Sequence, residues 1–130
     1  MSLEANKALV RRYFEELANR GDLDVAPELL TPDAVEIMQQ FTLKLRTAFP
    51  DFQITIHDQI AEADLVATRF TARGTHLGTW HSPLGPIAPT GNAFEHDGIR
   101  IFRIADGRLV DAWGGADELQ RLQQLGVIQS

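Results

Sequence analysis

Apolar and polar positions along the chain follow two different periods, and the switch falls near residue 50. Leu9, Val10, Tyr13, Phe14 and Leu17 recur at helical spacing behind a Ser2 start, and Gly21 stands where a left-handed stop would fall. Asp24 is placed to cap a short second helix through Leu30, with Pro27 tolerated in its first turn. Ala34, Met38, Phe41, Leu45 and Ala48 form a third helical stripe, closed by Phe49-Pro50-Asp51. From Phe52 the period falls to two. Phe52, Ile54, Ile56 and Ile60 alternate with Gln53, Thr55, His57 and Gln59, which predicts a strand with one wet face and puts His57 on it. Leu65 to His76 and Asn92 to Ile104 read as the second and third strands. The stretch between them, His81 to Gly91, carries three prolines and two glycines and reads as a loop. Ala105-Asp106-Gly107 signals a hairpin into a fourth strand, Arg108 to Trp113, ended by Gly114-Gly115. A closing helix from Asp117 to Leu125 stops at Gly126.

Helices followed by an antiparallel meander and one terminal helix define an α+β architecture: a curved antiparallel sheet, shaped as a cone, packed on the N-terminal helices. The open end of such a cone is a pocket. No repeat, low-complexity tract or linker interrupts residues 1–130, which read as a single domain long enough for a sizeable core. The composition, 44% hydrophobic and 23% charged, is globular, and no apolar run approaches the length of a membrane span. The N-terminus has no signal-peptide core, so the expected compartment is cytoplasmic. Twelve Lys and Arg against 18 Asp and Glu give a charge of −6, the wrong sign for gripping nucleic-acid phosphates. With no cysteine, any chemistry falls to His, carboxylate, Arg, Tyr or Ser. Nucleophile elbow, phosphate-binding glycine loop, dinucleotide fingerprint and zinc-protease helix are all missing, so neither a cofactor nor a metal is expected. His76 and His81, five apart, have no nearby acid at a recognisable ligand spacing.

Longer stretches carry a family likeness. Pro89-Thr90-Gly91, the run Ile99 to Trp113, Asp117-Glu118-Leu119 and Leu122 to Gly126 resemble the SnoaL-like polyketide (ester) cyclases. Arg11-Arg12-Tyr13-Phe14, Ala48 to Phe52 and Gly74 to Gly78 look like the same family, so the resemblance covers nearly the whole chain. It implies the nuclear transport factor 2-like cone, a cystatin-like α+β barrel. It also implies cofactor-independent ring closure by an intramolecular aldol step, with a pocket aspartate as acid and base and a histidine assisting. Such a step needs a carboxylate whose pKa an apolar pocket has raised toward neutrality. At the matching positions this chain has Gly114 in place of the aspartate and Arg100 in place of the histidine, and Ala112 replaces the histidine before the tryptophan. Thr31 to Glu36 is also shorter than the family's usual strand and loop, which points to an abbreviated pocket wall.

Hairpin register decides which side chains share a face, because a one-residue slip reverses them all. A three-residue loop pairs Ile101 with Asp111 and groups His96, Arg100, Phe102, Val110 and Ala112. A two-residue loop pairs Phe102 with Asp111 and groups His96, Arg100, Phe102, Asp111 and Trp113. The first is favoured, because it alone puts the family's pocket pair on one face. The catalytic candidates are Arg100, to orient a carboxylate or enolate oxygen; His96, as base; and Asp111, as a displaced acid. Against these stand blander readings: an outward arginine, a solvated histidine and an edge aspartate. Tyr13, Phe14, Phe41 and Phe70 are core residues or pocket floor, His76 shares Phe70's parity, and Trp80 stands at the mouth loop. With Phe102 and Trp113 they complete the candidate ligand-binding set. Asp117, before Glu118-Leu119, reads as a helix cap.

The expected function is proton-transfer chemistry of cyclase or isomerase type on a small apolar carbonyl compound. The rival is a non-catalytic ligand-binding or dimerisation module that kept the cone and lost the acid/base pair. A homodimer is expected through the leftover sheet face bearing Leu65, Ala67, Ile99 and Ile101.

Overall fold

The computed structural model describes residues 2–116 and 118–128. Helix α1 (Leu3–Arg12) starts at Ser2, whose hydroxyl accepts the Ala5 N–H at 3.0 Å. It continues without a break into wider π-type turns over Tyr13–Asn19, which bury Tyr13, Phe14 and Leu17 together. A 3₁₀ turn (Leu23–Val25) leads into α2 (Ala26–Leu29), and α3 spans Pro32–Ala48. The cap of this corner is Asp22 rather than Asp24: the Asp22 carboxylate accepts the Asp24 N–H at 3.2 Å, so the turn begins two residues earlier than expected.

Strands β1 (Gln53–Glu62), β2 (Leu65–Thr75), β5 (Ala93–Ala105) and β6 (Arg108–Ala116) form one antiparallel sheet in the order β1-β2-β5-β6. Its inner face meets the helices around Phe14, Leu17, Leu29, Phe49, Phe70 and Phe94. The expected loop between β2 and β5 contains a small hairpin of its own, β3 (Trp80–Ser82) and β4 (Gly85–Ile87). Ser82 closes it, its hydroxyl accepting from Leu84 N–H at 3.0 Å and donating to the Gly85 carbonyl at 2.8 Å. Helix α4 (Glu118–Gln124) covers the sheet near β5, and Gly126 follows it at φ +80°. The predicted cap Asp117 lies outside the described residues.

Two β-bulges decide which faces the strands present. In β1, His57 is an extra residue between the pairs Ile56↔Phe70 and Asp58↔Arg69. The alternation therefore inverts: Ile60, expected inside, is 72% exposed, while Gln59 turns in and donates to Lys7 O and Thr68 Oγ1. In the β5–β6 hairpin, Asp106 and Gly107 form a two-residue turn with φ of +50° and +71°, and Ile104 pairs with Leu109. Val110 is then bulged out, and Arg103↔Asp111, Phe102↔Ala112 and Arg100↔Gly114 follow. Neither expected register is correct: the turn belongs to the second, but the bulge restores the faces of the first. Strand β6 also runs through Gly114-Gly115 to Ala116 instead of ending there.

Candidate functional site

A cavity of about 130 Å³ opens between the helical layer and the inner sheet face. Tyr13, Phe14 and Ala18 come from the first helix, Phe41 and Leu45 from α3, and Phe52, Ile54, Phe70 and Ala72 from the β1–β2 side. Phe41, 54% exposed, stands at the mouth. The polar contributions are two guanidinium groups, Arg100 and Arg121, and the Tyr13 hydroxyl; no carboxylate lines the cavity among the described residues. A wider groove of about 520 Å³ between Asp51, Thr75, Glu95 and Gln124 lies open to solvent with mostly polar walls. The smaller cavity, with apolar walls and convergent polar groups, has the character of a ligand site.

Arg100 reaches the cavity because the β5 inner row runs His96, Gly98, Arg100, Phe102, set against Ala72, Phe70, Thr68 and Val66 of β2. Its Cζ lies 5.4 Å from the Phe102 ring centroid. Its Nε is buried, and the side chain has no hydrogen bond or ion pair among the described residues. The half-buried guanidinium is thus a cation held at an apolar wall without a counter-charge among the described residues. Burial pushes the Tyr13 hydroxyl's pKa up, and the neighbouring Arg100 charge acts in the opposite sense, so the phenol stays protonated and able to donate.

The inner face carries His96, Arg100 and Phe102, but His96 and Arg100 do not touch. Four residues of strand separate them by about 13 Å, and Phe70 lies over Gly98 between them: a Cβ on Gly98 would meet the Phe70 ring at 2.6 Å. His96 is buried against Phe94, ring centroids 5.2 Å apart, and its Nε2 accepts from Arg121 Nε at 3.2 Å. That bond uses the imidazole lone pair, and it links His96 to Arg121, which lines the cavity. Arg121 lies on the faces of Phe94, Phe49 and Trp80, 4.3 to 5.6 Å from their centroids.

Other candidates fall elsewhere. Asp111 is exposed on the outer sheet face, where its pairing with Arg103 puts it. Trp113, 43% exposed, is on that same face beneath Arg103, whose Cζ is 5.2 Å from a Trp113 ring centroid. The bulge at Val110 turns both away from the cavity. Trp80 is buried against Phe49 and Arg121 instead of standing free at a mouth loop. His76 is fully buried; its Nδ1 accepts the Thr90 N–H at 3.2 Å and so pins the segment that carries the β3–β4 hairpin. Phe102 packs edge-on against Tyr13 and Phe14 beneath the site. His57 faces solvent, as expected, and its Nε2 lies 2.7 Å from Thr71 Oγ1. Arg121 was missed by sequence reasoning. Its signal was its position beside Leu122 and four residues before Leu125, on the buried stripe of the last helix.

Gly114, where the family pattern has its aspartate, sits at φ +81° opposite Arg100. A Cβ built there would fall inside van der Waals contact of the Ile99 carbonyl oxygen. The backbone at that position admits glycine only.

Helices over a curved antiparallel sheet, with a small apolar cavity between them, define the nuclear transport factor 2-like fold. The chain belongs to the SnoaL-like polyketide cyclase family, whose model matches residues 8–125. It is similar in structure to TsrD from Streptomyces laurentii, with 25% identity over 98% of this chain and 99% of that one and a TM-score of 0.87. AclR from Streptomyces galilaeus, provisionally named a hydroxylase, is 27% identical over 99% of this chain and 85% of its own, with a TM-score of 0.81. IdmH from Streptomyces antibioticus, provisionally named a polyketide cyclase, is 31% identical over 93% of this chain and 98% of its own, with a TM-score of 0.75. No curated protein matches the chain.

Proposed function

We propose that the protein binds a small carbonyl compound in this cavity and moves a proton next to the carbonyl, as a cyclase or isomerase does. The observation that carries the reading is the Arg100 guanidinium, without a counter-charge among the described residues, at the wall of an apolar cavity beside the Tyr13 hydroxyl. As a proton leaves the carbon, charge grows on the carbonyl oxygen. A guanidinium and a phenol donor preset in a poorly hydrated site favour that charge more than they favour the neutral ground state. His96, about 13 Å along the strand from Arg100 and bonded to Arg121, is out of reach of a carbon beside a carbonyl held at Arg100, so in this reading water at the Phe41 mouth takes the proton. Deuterium exchange at the α-carbons of a panel of ketones and esters, followed by NMR, tests this. Arg100→Ala should lower the exchange rate on the order of 100-fold, and an unchanged rate would reject the role.

A second reading, ligand binding without turnover, is favoured by Gly114 and by the missing carboxylate among the described lining residues. Its mark is a panel that binds with no exchange, or activity that is flat between about pH 5 and 8.

We also infer that the outer sheet face joins two copies of the chain. Ile60, Ala67, Ile101 and Trp113 are cross-strand partners in sequence, so one apolar row crosses all four strands. Charges flank it: Arg69 pairs with Asp58 at 2.7 Å and Arg103 with Asp64 at 3.3 Å. An exposed row of this kind marks an interaction surface. Light scattering at micromolar concentration should give twice 14.5 kDa, and Ile101→Glu should halve the mass; a monomeric parent rejects the inference.

A further inference from the structure

We propose that the ligand of this cavity is a one-ring organic anion, with its carboxylate or enolate against Arg100 and Tyr13 and its ring against the wall formed by Phe14, Phe70 and Leu45. The assignment rests on the reading of the cavity as the working site and narrows it by size and by charge.

Size comes from the volume of the cavity. Pockets for drug-sized ligands run to about 300–1,000 Å³, whereas an apolar cavity of roughly 150 Å³ accepts a single benzene ring. At about 130 Å³ this cavity is on the one-ring scale. Phe14, Phe70 and Phe102 pack on one another, with Phe14 5.3 Å from Phe70 and 5.9 Å from Phe102 between ring centroids, and close the floor on which the ring would rest. A polycyclic compound could occupy the site only by protruding past Phe41.

Charge comes from Arg100. A guanidinium removed from bulk water normally finds acceptors: Arg12 meets Glu16 at 2.9 Å, and half-buried Arg46 donates to the carbonyls of Ala18, Phe52 and Pro50. Arg100 has none among the described residues, and its buried Nε has no acceptor. The described titratable groups lining the cavity are Tyr13, Arg100 and Arg121, and none is an acid that would repel an anion. A planar carboxylate or enolate supplies both the missing charge and the missing acceptor, in the fork geometry that guanidinium favours. The Tyr13 hydroxyl, with no hydrogen-bond partner among the described residues, adds a third donor.

Isothermal titration with benzoate, benzamide and 9-anthracenecarboxylate tests size and charge separately. Benzoate should bind at least tenfold tighter than benzamide, because a hydrogen bond to a charged group outweighs a neutral one. It should also bind tighter than the three-ring acid. Arg100→Gln should remove the preference for benzoate over benzamide. Arg100→Lys should keep part of it, and Tyr13→Phe should weaken benzoate about threefold or more; a circular dichroism spectrum matching the parent shows that each variant is folded. Equal binding of benzoate and benzamide, or tighter binding of the three-ring acid, overturns the proposal. If that happens while deuterium exchange on ketones still depends on Arg100, the ligand class is wrong and the catalytic reading survives. If benzoate binds as expected yet leaves exchange uninhibited at saturation, the cavity is an anion site separate from the exchange reaction, and the assignment of the reacting ligand is overturned.

Discussion

Single residues carry the departures from the family pattern, and backbone geometry explains the sharpest one. Gly114 cannot be restored to aspartate by exchange alone, because φ +81° and the Ile99 carbonyl both exclude a side chain. Gly114→Asp should therefore lower the unfolding free energy by about 1–3 kcal/mol in urea titrations without raising deuterium exchange; a variant as stable as the parent would mean that the strand end can rearrange. Arg100 was legible as the informative residue, since an arginine in a row of inward apolar partners stands out. Arg121 was not, because a cation on the apolar stripe of a helix looks like a misplaced surface residue until Phe94, Phe49 and Trp80 are seen around it. Asp111 and Trp113 were candidates on periodicity, and one extra residue at Val110 turned them outward.

At the level of elements, the helices were more legible than the faces of the strands. Ser2, Gly21 and Pro50 bound their helices for local reasons that any chain would share. How the first helix meets the sheet depends on a contact 35 residues apart in the chain. Asn19 Nδ2 donates to the Ile54 carbonyl at 3.0 Å, and the Ile54 N–H donates to Asn19 Oδ1 at 2.7 Å. The side-chain amide thus serves β1 as a neighbouring strand would, at the point where Ile54 enters the cavity wall. Asn19→Ala leaves both partly buried backbone groups without their protein partner, and should cost about 2–3 kcal/mol of stability by thermal unfolding. It should also weaken ligand binding, since it loosens the wall that Ile54 forms; a loss under 0.5 kcal/mol would show the clamp to be incidental.

Across the whole molecule, stability should fall at both ends of the pH scale for different reasons. Thr75 donates to Asp51 through its hydroxyl and its N–H, both at 2.7 Å, and these bonds hold the Asp51 carboxyl below its ordinary pKa of 3.8. A depressed carboxylate contributes stability above its unfolded pKa and loses it as pH falls through the folded one. Tyr13 is shifted the other way, above 10.0, chiefly by burial. The folded state holds that proton longer than the unfolded state, so its contribution is complete below pH 10 and is lost as pH climbs beyond. Urea midpoints followed against pH should drop below about pH 4 and above about pH 10. Asp51→Asn should flatten the acid limb and Tyr13→Phe the alkaline one; an unchanged limb in either variant would remove that residue from the account.

Apart from the β3–β4 hairpin, element type and order, the α+β architecture and the inward row of His96, Arg100 and Phe102 were legible in the sequence, because helix caps, turn glycines and the two hydrophobic periods act between near neighbours. Which side of the cavity each candidate occupies was decided only in the tertiary structure. Bulges at His57 and Val110 each spend one residue without a local signal and invert everything beyond them. The size of the cavity, the spacing of His96 from Arg100 and the arrival of Arg121 all depend on distant segments closing on one another. No period along the chain records those distances.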